Sequence, residues 1–228
     1  MKHTYDDEAD VRTTVLIRVM ALFFVGIMVI AATTSPIATG TKEGERAPAL
    51  EGQFYNGAGW SDFNLESYWN PSWEEGDISG EWVAIEFMDT DCPYCVASAA
   101  DMATNSQDFA GNSGWDGAKV NFIASATELD IPGHESSRAE IIAFRDKTAD
   151  SGESCNGKDC ASRPGSAHNF PYIDDLDQEN MKKWKVSGTP SYYLIQPNGI
   201  IAWSSAEHPN EDIRDAIITL VPRAGVEA

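Results

Sequence analysis

The sequence predicts an α/β protein with a mixed central β-sheet flanked by helices. Three observations support this: an apolar strand at Trp82–Met88, an Asn198-Gly199 turn between two strands, and helical segments between the strands. A strand that is apolar on both faces is typical of the covered centre of a partly parallel sheet. An Asn-Gly turn instead joins antiparallel neighbours, so both strand orientations are expected.

The first elements of this domain follow from local signals. An Asn-Gly pair between aromatic runs predicts an N-terminal hairpin extension within residues 52–65. After the apolar strand, Pro93 begins an Ala-rich helix that runs to about Ser106, because proline is favoured in a first helical turn. The apolar run Lys119–Ser125 predicts the next strand.

The second half contains a helix, a long loop and a closing hairpin and helix. Ser137 and Glu140 form a capping box for a helix to about Thr148. The polar loop 151–168 is eighteen residues long, which is unusual inside a compact domain. The remaining predicted elements are a short helix at Gln178–Lys185, a hairpin over 191–203 and an amphipathic helix at Glu211–Leu220.

The N-terminal segment is distinct from this domain. Residues 19–32 are fourteen consecutive apolar residues. A helix over 15–35 would be long enough to cross a bilayer as a single anchor; a cleavable signal peptide is the alternative. We favour the anchor, because the residues before it include four acids, unlike the short basic start of a signal peptide. Both interpretations predict that the rest of the chain is exported.

These observations divide the chain into five parts. They are an N-terminal tail (1–14), a transmembrane anchor or signal peptide (15–35), a linker (36–48), the α/β domain (49–223) and a C-terminal tail (224–228).

The charge of the exported part limits its partners. Residues 1–41 hold three of the 16 basic and four of the 36 acidic residues, so the remainder carries a net charge of −19. Such a domain repels nucleic acid and anionic lipid surfaces. Nucleic acid is therefore not expected as a partner.

Two cysteines, Cys92 and Cys95, follow the central strand with two residues between them. A zinc half-site, a structural disulfide and a redox dithiol can each begin with this spacing. The position between a strand and a helix favours the redox dithiol, because the free N–H groups and the dipole of a helix N-terminus stabilise a thiolate at Cys92. Cys95, one turn later, could attack a mixed disulfide formed at Cys92.

Glu86 is the one charged residue in the predicted central strand. Burial of a carboxylate is costly unless it is neutral, paired or functional. Burial should raise its pKa, which would make it a proton acceptor near neutral pH. If the strand instead lay at the sheet edge, Glu86 would simply be hydrated.

Thr189-Pro190 directly precedes another apolar strand. Because proline has no ladder N–H, it is expected at the start of that strand. A cis bond before Pro190 would be a reason for its presence.

Together these motifs resemble thioredoxin-fold proteins, and most of all the membrane-tethered, exported thiol–disulfide oxidoreductases of the TlpA/ResA type. The similarity covers residues 47–221 and includes "IEFMDTDCPYC" and the Gly-Thr-Pro before the hairpin. The resemblance implies that Cys92 is the exposed nucleophile, Cys95 the buried resolving thiol and Glu86 the acid that handles its proton. It also implies a substrate-binding surface, formed by Thr189, cis Pro190 and Tyr94.

The sequence also departs from this family. Asp91 stands where the family usually has an aromatic residue before the first cysteine, and Pro93-Tyr94 is the dipeptide that glutaredoxins favour. Asp89 and Asp91 should disfavour a thiolate at Cys92 by like charge. A less stable thiolate means a less stable reduced form, which predicts a reductase; a disulfide oxidase or isomerase is the alternative.

The second pair, Cys155 and Cys160, lies in the long polar loop. Four cysteines allow three connectivities. The close spacing favours a structural disulfide between these two, and a second redox pair that relays electrons is the alternative.

Other activities were weighed against the same residues. A peroxidase of the peroxiredoxin type needs threonine three residues before its reactive cysteine, where this chain has Asp89. Copper delivery would need a C-x-x-x-C motif and a distant histidine, and the three candidate histidines of this chain are expected at the surface. A zinc site and a non-enzymatic interaction module are the remaining alternatives. The histidines concerned are His134, His168 and His208.

The sequence thus predicts an enzyme, a thiol–disulfide oxidoreductase that maintains redox homeostasis in the cell envelope. The redox centre is its own Cys92–Cys95 pair, and neither a bound cofactor nor a metal is expected. The expected partners are exported protein thiols or disulfides and a membrane or extracytoplasmic redox protein. The expected location is the cell membrane, with a single pass and the redox domain on the extracytoplasmic side.

Overall fold

The computed structural model describes residues 7–33, 37–111, 114–129, 135–149 and 155–225. The chain divides into two compact units, Met1–Ile37 and Ala38–Ala228. The predicted tails and the start of the predicted linker lie partly outside the described residues.

The first unit contains one helix, α1, at Asp7–Thr33. Its described side chains, those of residues 13–29, are all exposed. Within the described residues, no helix combines the length and apolar character that a membrane crossing requires. The structure therefore does not support the transmembrane helix predicted over 15–35.

The second unit is built on a seven-stranded mixed sheet with the strand order β2-β1-β5-β4-β3-β6-β7. The central strands β3, β4 and β5 are parallel, and the outer pairings are antiparallel. The strands are β1 (Glu51–Tyr55), β2 (Trp60–Asn64), β3 (Trp82–Met88), β4 (Val120–Thr127), β5 (Tyr172–Asp175), β6 (Ser191–Ile195) and β7 (Ile201–Ser204).

Helices connect the parallel strands and close the domain. They are α2 (Pro93–Asp108), α3 (Arg138–Asp146), α4 (Glu179–Lys183) and α5 (Ile213–Leu220). The predicted capping box forms at the start of α3, where Ser137 and Glu140 exchange hydrogen bonds. Pro93 occupies the first turn of α2, as predicted.

The strand β3 has the predicted bounds and is buried along its whole length. Trp82, Ala84 and Met88 pack in one core with α2, α3 and α5. Val83, Ile85 and Phe87 pack on the opposite face in a second core, which includes Trp184. Glu86 shares its face with the first set and therefore lies on the α2 side of the sheet.

Two parts of the fold differ from the prediction. The strand β5 was not expected, because its four residues end in two aspartates and lack an apolar alternation. Residues 39–47, predicted as linker, lie along β7, where Ala47 donates a hydrogen bond to Gly199 and Ile201 donates one to Glu45. These pairings join residues that are about 150 positions apart, so local composition does not reveal them.

Candidate active site

Cys92 and Cys95 lie where β3 ends and α2 begins. Cys92 is the N-cap residue of α2, and Cys95 is in its first turn. Both are free thiols, exposed by only 3% and 1% of their surface. The expected burial of Cys95 is confirmed, but the expected exposure of Cys92 is wrong. Packing of the α2 start into the core and against the loop at Thr189 covers it.

The environment of Cys92 favours its thiolate. Its pKa is lowered to about 6, first because the Cys95 thiol donates a hydrogen bond to its sulfur. Burial opposes this shift. The Thr189 side chain and the backbone N–H groups of Tyr94 and Cys95 add to it. Hydrogen bonds at a helix N-terminus are expected to act in this direction.

The pKa of Cys92 is lowered overall, so hydrogen bonds outweigh the like charge that Asp89 and Asp91 were expected to exert on it. Asp89 is buried, and its carboxylate accepts hydrogen bonds from the N–H groups of Asp91 (2.7 Å) and Leu129 (2.6 Å). The Asp91 carboxylate accepts one from the N–H of Asn156 at 3.1 Å. Both carboxylates are engaged with backbone N–H groups, and hydrogen bonds dominate the shift at Cys92.

Cys95 has the opposite character. Burial, the hydrogen bond with Cys92 and the negative charge of Glu86 all raise the pKa of its thiol. At neutral pH the pair therefore holds one thiolate, at Cys92, and one proton, at Cys95. This is the charge distribution that a nucleophilic and a resolving cysteine require.

Glu86 is buried in the centre of the sheet, with 2% of its surface exposed. Its strand pairs with β4 on one side and β6 on the other, so the alternative of a hydrated edge position is excluded. Burial raises its pKa to about 8, the thiolate of Cys92 adds to this, and Tyr192 and Arg163 oppose it. The predicted burial and raised pKa of Glu86 are confirmed.

Tyr192 and Ser98 belong to the same site but were not predicted. Tyr192 pairs with Glu86 across β6 and β3 and donates a hydrogen bond to its carboxylate at 3.1 Å. The same hydroxyl lies 3.0 Å from the Ser98 hydroxyl on α2. The sequence does show a tyrosine hydroxyl in "SYYLI", but it does not show that Tyr192 lies opposite Glu86. That position depends on the pairing of two distant strands.

Thr189-Pro190 lies beside the cysteines, as the resemblance implied. The bond between these residues is cis. The Thr189 carbonyl oxygen lies 3.3 Å from the Cys92 sulfur. Tyr94, between the two cysteines, is 73% exposed. These groups are thus placed where a substrate chain that approaches Cys92 would meet them.

A buried polar cluster near Glu86 contains Arg163 and His168. Arg163 is buried, and its guanidinium donates to the carbonyls of Phe144, Arg145 and Pro164. His168 donates from Nε2 to the Ala99 carbonyl on α2 (2.8 Å), and its Nδ1 lies 2.6 Å from the Tyr172 hydroxyl. Burial lowers the pKa of His168 to about 3, so this histidine is neutral.

The predicted surface position of His168 is therefore wrong, because it packs against α2 and the aromatic rings of the core. His208 is partly exposed and contacts Glu43, and His134 lies outside the described residues. In the described part of the chain, no group of three or more histidine, cysteine or acidic residues is arranged to hold a metal ion.

Cys155 and Cys160 form a disulfide. Both are buried in the same core as Cys92 and Cys95. The N–H of Asn156, within the disulfide loop, binds Asp91 beside the nucleophile. The disulfide-closed part of the polar loop, residues 155–160, therefore packs next to Cys92 and Cys95.

We expect Cys155→Ala combined with Cys160→Ala to lower the free energy of unfolding by about 2 kcal/mol, because a closed loop of this size restrains the unfolded chain. This corresponds to a decrease in the melting temperature of roughly 4–8 °C, measured calorimetrically against the wild type. Alanine is chosen because both positions are buried. An unchanged melting temperature would contradict a stabilising role, and loss of electron transfer would favour the alternative of a second redox pair.

The sheet, the strand-to-helix cysteine pair and the adjacent cis-proline define a thioredoxin-like redox enzyme. Residues 45–204 match the AhpC/TSA family, and the chain belongs to this family. A comparison with curated proteins gave no match.

The chain is similar to several solved structures at low sequence identity. An uncharacterized conserved protein from Geobacillus kaustophilus superposes with a TM-score of 0.50 and 14% identity, over 82% of this chain and 76% of its own. The thioredoxin domain of a thiol-disulfide oxidoreductase from Bacteroides vulgatus gives 0.46 and 14%, over 78% and 94%. A 2-Cys peroxiredoxin from Plasmodium vivax gives 0.46 and 13%, over 74% and 72%. At these identities the similarity concerns the fold and not the activity.

Proposed function

We propose that this protein reduces disulfides in exported proteins by thiol–disulfide exchange at Cys92 and Cys95. The observation that carries the proposal is the different protonation of the two cysteines. Cys92 has a pKa of about 6, whereas the buried Cys95 retains its proton. Glu86, on the α2 face of the sheet, is the proton acceptor.

The reaction proceeds in two exchanges. The Cys92 thiolate attacks a substrate disulfide, and one substrate sulfur leaves as a thiolate while the other becomes bonded to Cys92. Cys95 then loses its proton to Glu86 and attacks the Cys92 sulfur. The second substrate thiolate leaves and the Cys92–Cys95 disulfide forms, so two electrons have passed to the substrate. A redox partner must then reduce this disulfide.

The electrostatic coupling in the site supports this order. The thiolate of Cys92 is one cause of the raised pKa of Glu86. When Cys92 becomes part of a mixed disulfide, this negative charge disappears and the pKa of Glu86 falls. Glu86 is therefore more readily ionised when Cys95 has to be deprotonated.

The direction of electron flow is inferred from the Cys92 thiolate. The thiolate is strongly stabilised in oxidases of this fold, with a pKa of about 3.5, and less in thioredoxin, with a pKa of about 7. At about 6, Cys92 is nearer to thioredoxin. The reductase assignment thus rests on hydrogen bonding at Cys92 and no longer on the two aspartates.

A peroxidase is less well supported. A peroxidase of the peroxiredoxin type is expected to have threonine three residues before its reactive cysteine, and this chain has Asp89 there. The Asp89 carboxylate is bound to the N–H groups of Asp91 and Leu129. Small peroxides would find no matching hydroxyl at this position.

Export is part of the proposal. The Cys155–Cys160 disulfide is typical of an oxidising compartment, and the apolar α1 segment precedes the redox domain. We propose an extracytoplasmic redox domain that acts on protein thiols and disulfides and receives electrons from an envelope redox protein. Fractionation tests the N-terminal segment: a tethered chain is recovered with membranes at full length, whereas a cleaved chain is soluble and shorter.

The reduction potential of the Cys92–Cys95 couple tests the direction. It is measured in the full chain with Cys155 and Cys160 replaced by alanine, so that the measured potential belongs to the Cys92–Cys95 couple alone. We expect a potential nearer to about −270 mV, the value of thioredoxin, than to about −120 mV, the value of a strong oxidase. A value near the oxidising end would make the protein a disulfide donor. The absence of a discrete couple would refute the redox proposal.

A further inference from the structure

Glu86, with a pKa of about 8, must exchange protons with solvent during the cycle, because it has to be a carboxylate before it can take the proton of Cys95. Glu86 is almost completely buried by its position in the central strand. In the proposed function it takes a proton from Cys95 once in each turnover. A buried carboxyl in this role needs a chain of hydroxyls or waters to exchange its proton with bulk water.

Two hydroxyls form a chain of hydrogen bonds that begins at Glu86. The Tyr192 hydroxyl is 3.1 Å from the Glu86 carboxylate and 3.0 Å from the Ser98 hydroxyl. Both distances are within the range of ordinary hydrogen bonds. Tyr192 and Ser98 are each partly exposed, in contrast to Glu86.

Two different elements hold these hydroxyls. Tyr192 faces Glu86 because the two residues are partners in the antiparallel β3–β6 ladder, and such partners project on the same side of a sheet. Ser98 lies three residues after Cys95 on α2, and its hydroxyl donates to the Cys95 carbonyl at 3.2 Å. The relay therefore connects the proton acceptor with the helix turn that carries the resolving cysteine.

We propose that Tyr192 and Ser98 form a proton relay between Glu86 and solvent. In the release step, the Tyr192 oxygen takes the proton of Glu86 while its own proton moves to Ser98. The Ser98 O–H turns from the Cys95 carbonyl and passes its proton to water. The reverse sequence protonates Glu86 when the reaction runs in the opposite direction. No electrons move in this step, and both hydroxyls end as they began.

The relay rests on the proposed role of Glu86. Other charged or titratable groups also act on this carboxyl. They are Cys92 and Cys95 at the start of α2, Tyr172 on β5, and Arg163, three residues after Cys160. The experiment therefore has to distinguish proton transfer through Tyr192 from a change in the surroundings of Glu86.

Matched variants make this distinction. Tyr192→Phe removes the first hydroxyl. Tyr193→Phe is its control, because Tyr193 lies on the same strand but packs in the opposite core. Ser98→Val removes the second hydroxyl, whereas Ser98→Thr has nearly the same shape and retains it. Ser98→Val also leaves the Tyr192–Glu86 hydrogen bond in place.

The measurement is turnover of a disulfide substrate against pH, in H₂O and D₂O, with and without imidazole as a small proton carrier. We expect Tyr192→Phe and Ser98→Val to lower turnover by roughly 10- to 100-fold, the scale of a lost proton-transfer step. The solvent isotope effect should increase, and imidazole should restore part of the rate. Tyr193→Phe should remain within about twofold of the wild type, and Ser98→Thr should turn over faster than Ser98→Val because it retains the hydroxyl.

A structural role of Tyr192 would give a different result. Then Tyr192→Phe would shift the pH profile, but Ser98→Val would be active and imidazole would have no effect; this outcome overturns the relay. If both relay variants turn over normally while Glu86→Gln is slow, the relay fails and the proposed function stands. If Glu86→Gln also turns over normally, the role of Glu86 itself fails.

Discussion

Cys92→Ser is expected to reduce thiol–disulfide exchange by at least about 10³-fold, because a serine hydroxyl cannot replace the thiolate as nucleophile at neutral pH. Cys92 is the cysteine whose pKa is lowered, to about 6. Cys95 is protonated and buried, so it cannot take over the attack. Stopped-flow reduction of a disulfide substrate measures the effect.

Cys95→Ser should behave differently. It retains the nucleophile and loses the resolving thiol, so one equivalent of substrate should remain bonded to Cys92. Mass spectrometry of the non-reduced protein detects this mixed disulfide. The Cys155→Ala/Cys160→Ala variant is the control, and it should complete both exchanges if that disulfide is structural.

The pH dependence of alkylation checks the assignment of the thiolate. The rate of iodoacetamide addition to Cys92 should rise with pH, with a midpoint near the pKa of about 6. Cys95 should remain unmodified over the same range, because burial raises the pKa of its thiol. Preferential alkylation of Cys95, or more than about a tenth of wild-type activity in Cys92→Ser, would reverse the proposed roles.

Glu86→Gln is expected to have the second largest effect. It should slow the resolution of the mixed disulfide by about 10²-fold or more, because the amide cannot accept the proton of Cys95. The first exchange at Cys92 should change much less. Single-turnover kinetics separate the two steps. Equal slowing of both steps would indicate disrupted packing rather than lost proton transfer.

The same variant should change the dependence of stability on pH. The pKa of Glu86 is raised to about 8 in the folded protein, from 4.5 in the unfolded chain. Between these values the folded state holds a proton that the unfolded state has lost, so the free energy of unfolding decreases as pH rises. Over this range the loss is on the order of 5 kcal/mol.

Glutamine does not titrate, so Glu86→Gln should gain stability over the wild type as the pH rises from 5 to 9. Urea denaturation at both pH values measures the difference. Cys92 has a lowered pKa, so its contribution to the pH dependence of stability has the opposite sign. Because Cys92 is present in both proteins, this contribution largely cancels when they are compared. If the stability difference between the two proteins did not change from pH 5 to pH 9, the raised pKa of Glu86 would be contradicted.

Much of the architecture followed from local sequence signals. The strand Trp82–Met88 was predicted because seven residues are apolar on both faces apart from Glu86, and burial on both sides of a sheet requires this pattern. The position of Cys92 and Cys95 at a strand-to-helix junction followed from the same strand and from Pro93. Such features depend on neighbouring residues, which is why the sequence was sufficient to predict them.

Other properties of the site depend on contacts between distant segments. The strand register of β3 and β6 brings Tyr192 to Glu86 across 106 positions, and the loop carrying Thr189 covers Cys92 across 97. Backbone N–H groups bind both aspartates near Cys92, and hydrogen bonds to Cys92 outweigh their expected effect on its pKa. The sequence thus identified the redox pair and its acid. The burial of Cys92, its pKa and the hydroxyls beside Glu86 followed only from the packed structure, because solvation and hydrogen bonding depend on which segments meet.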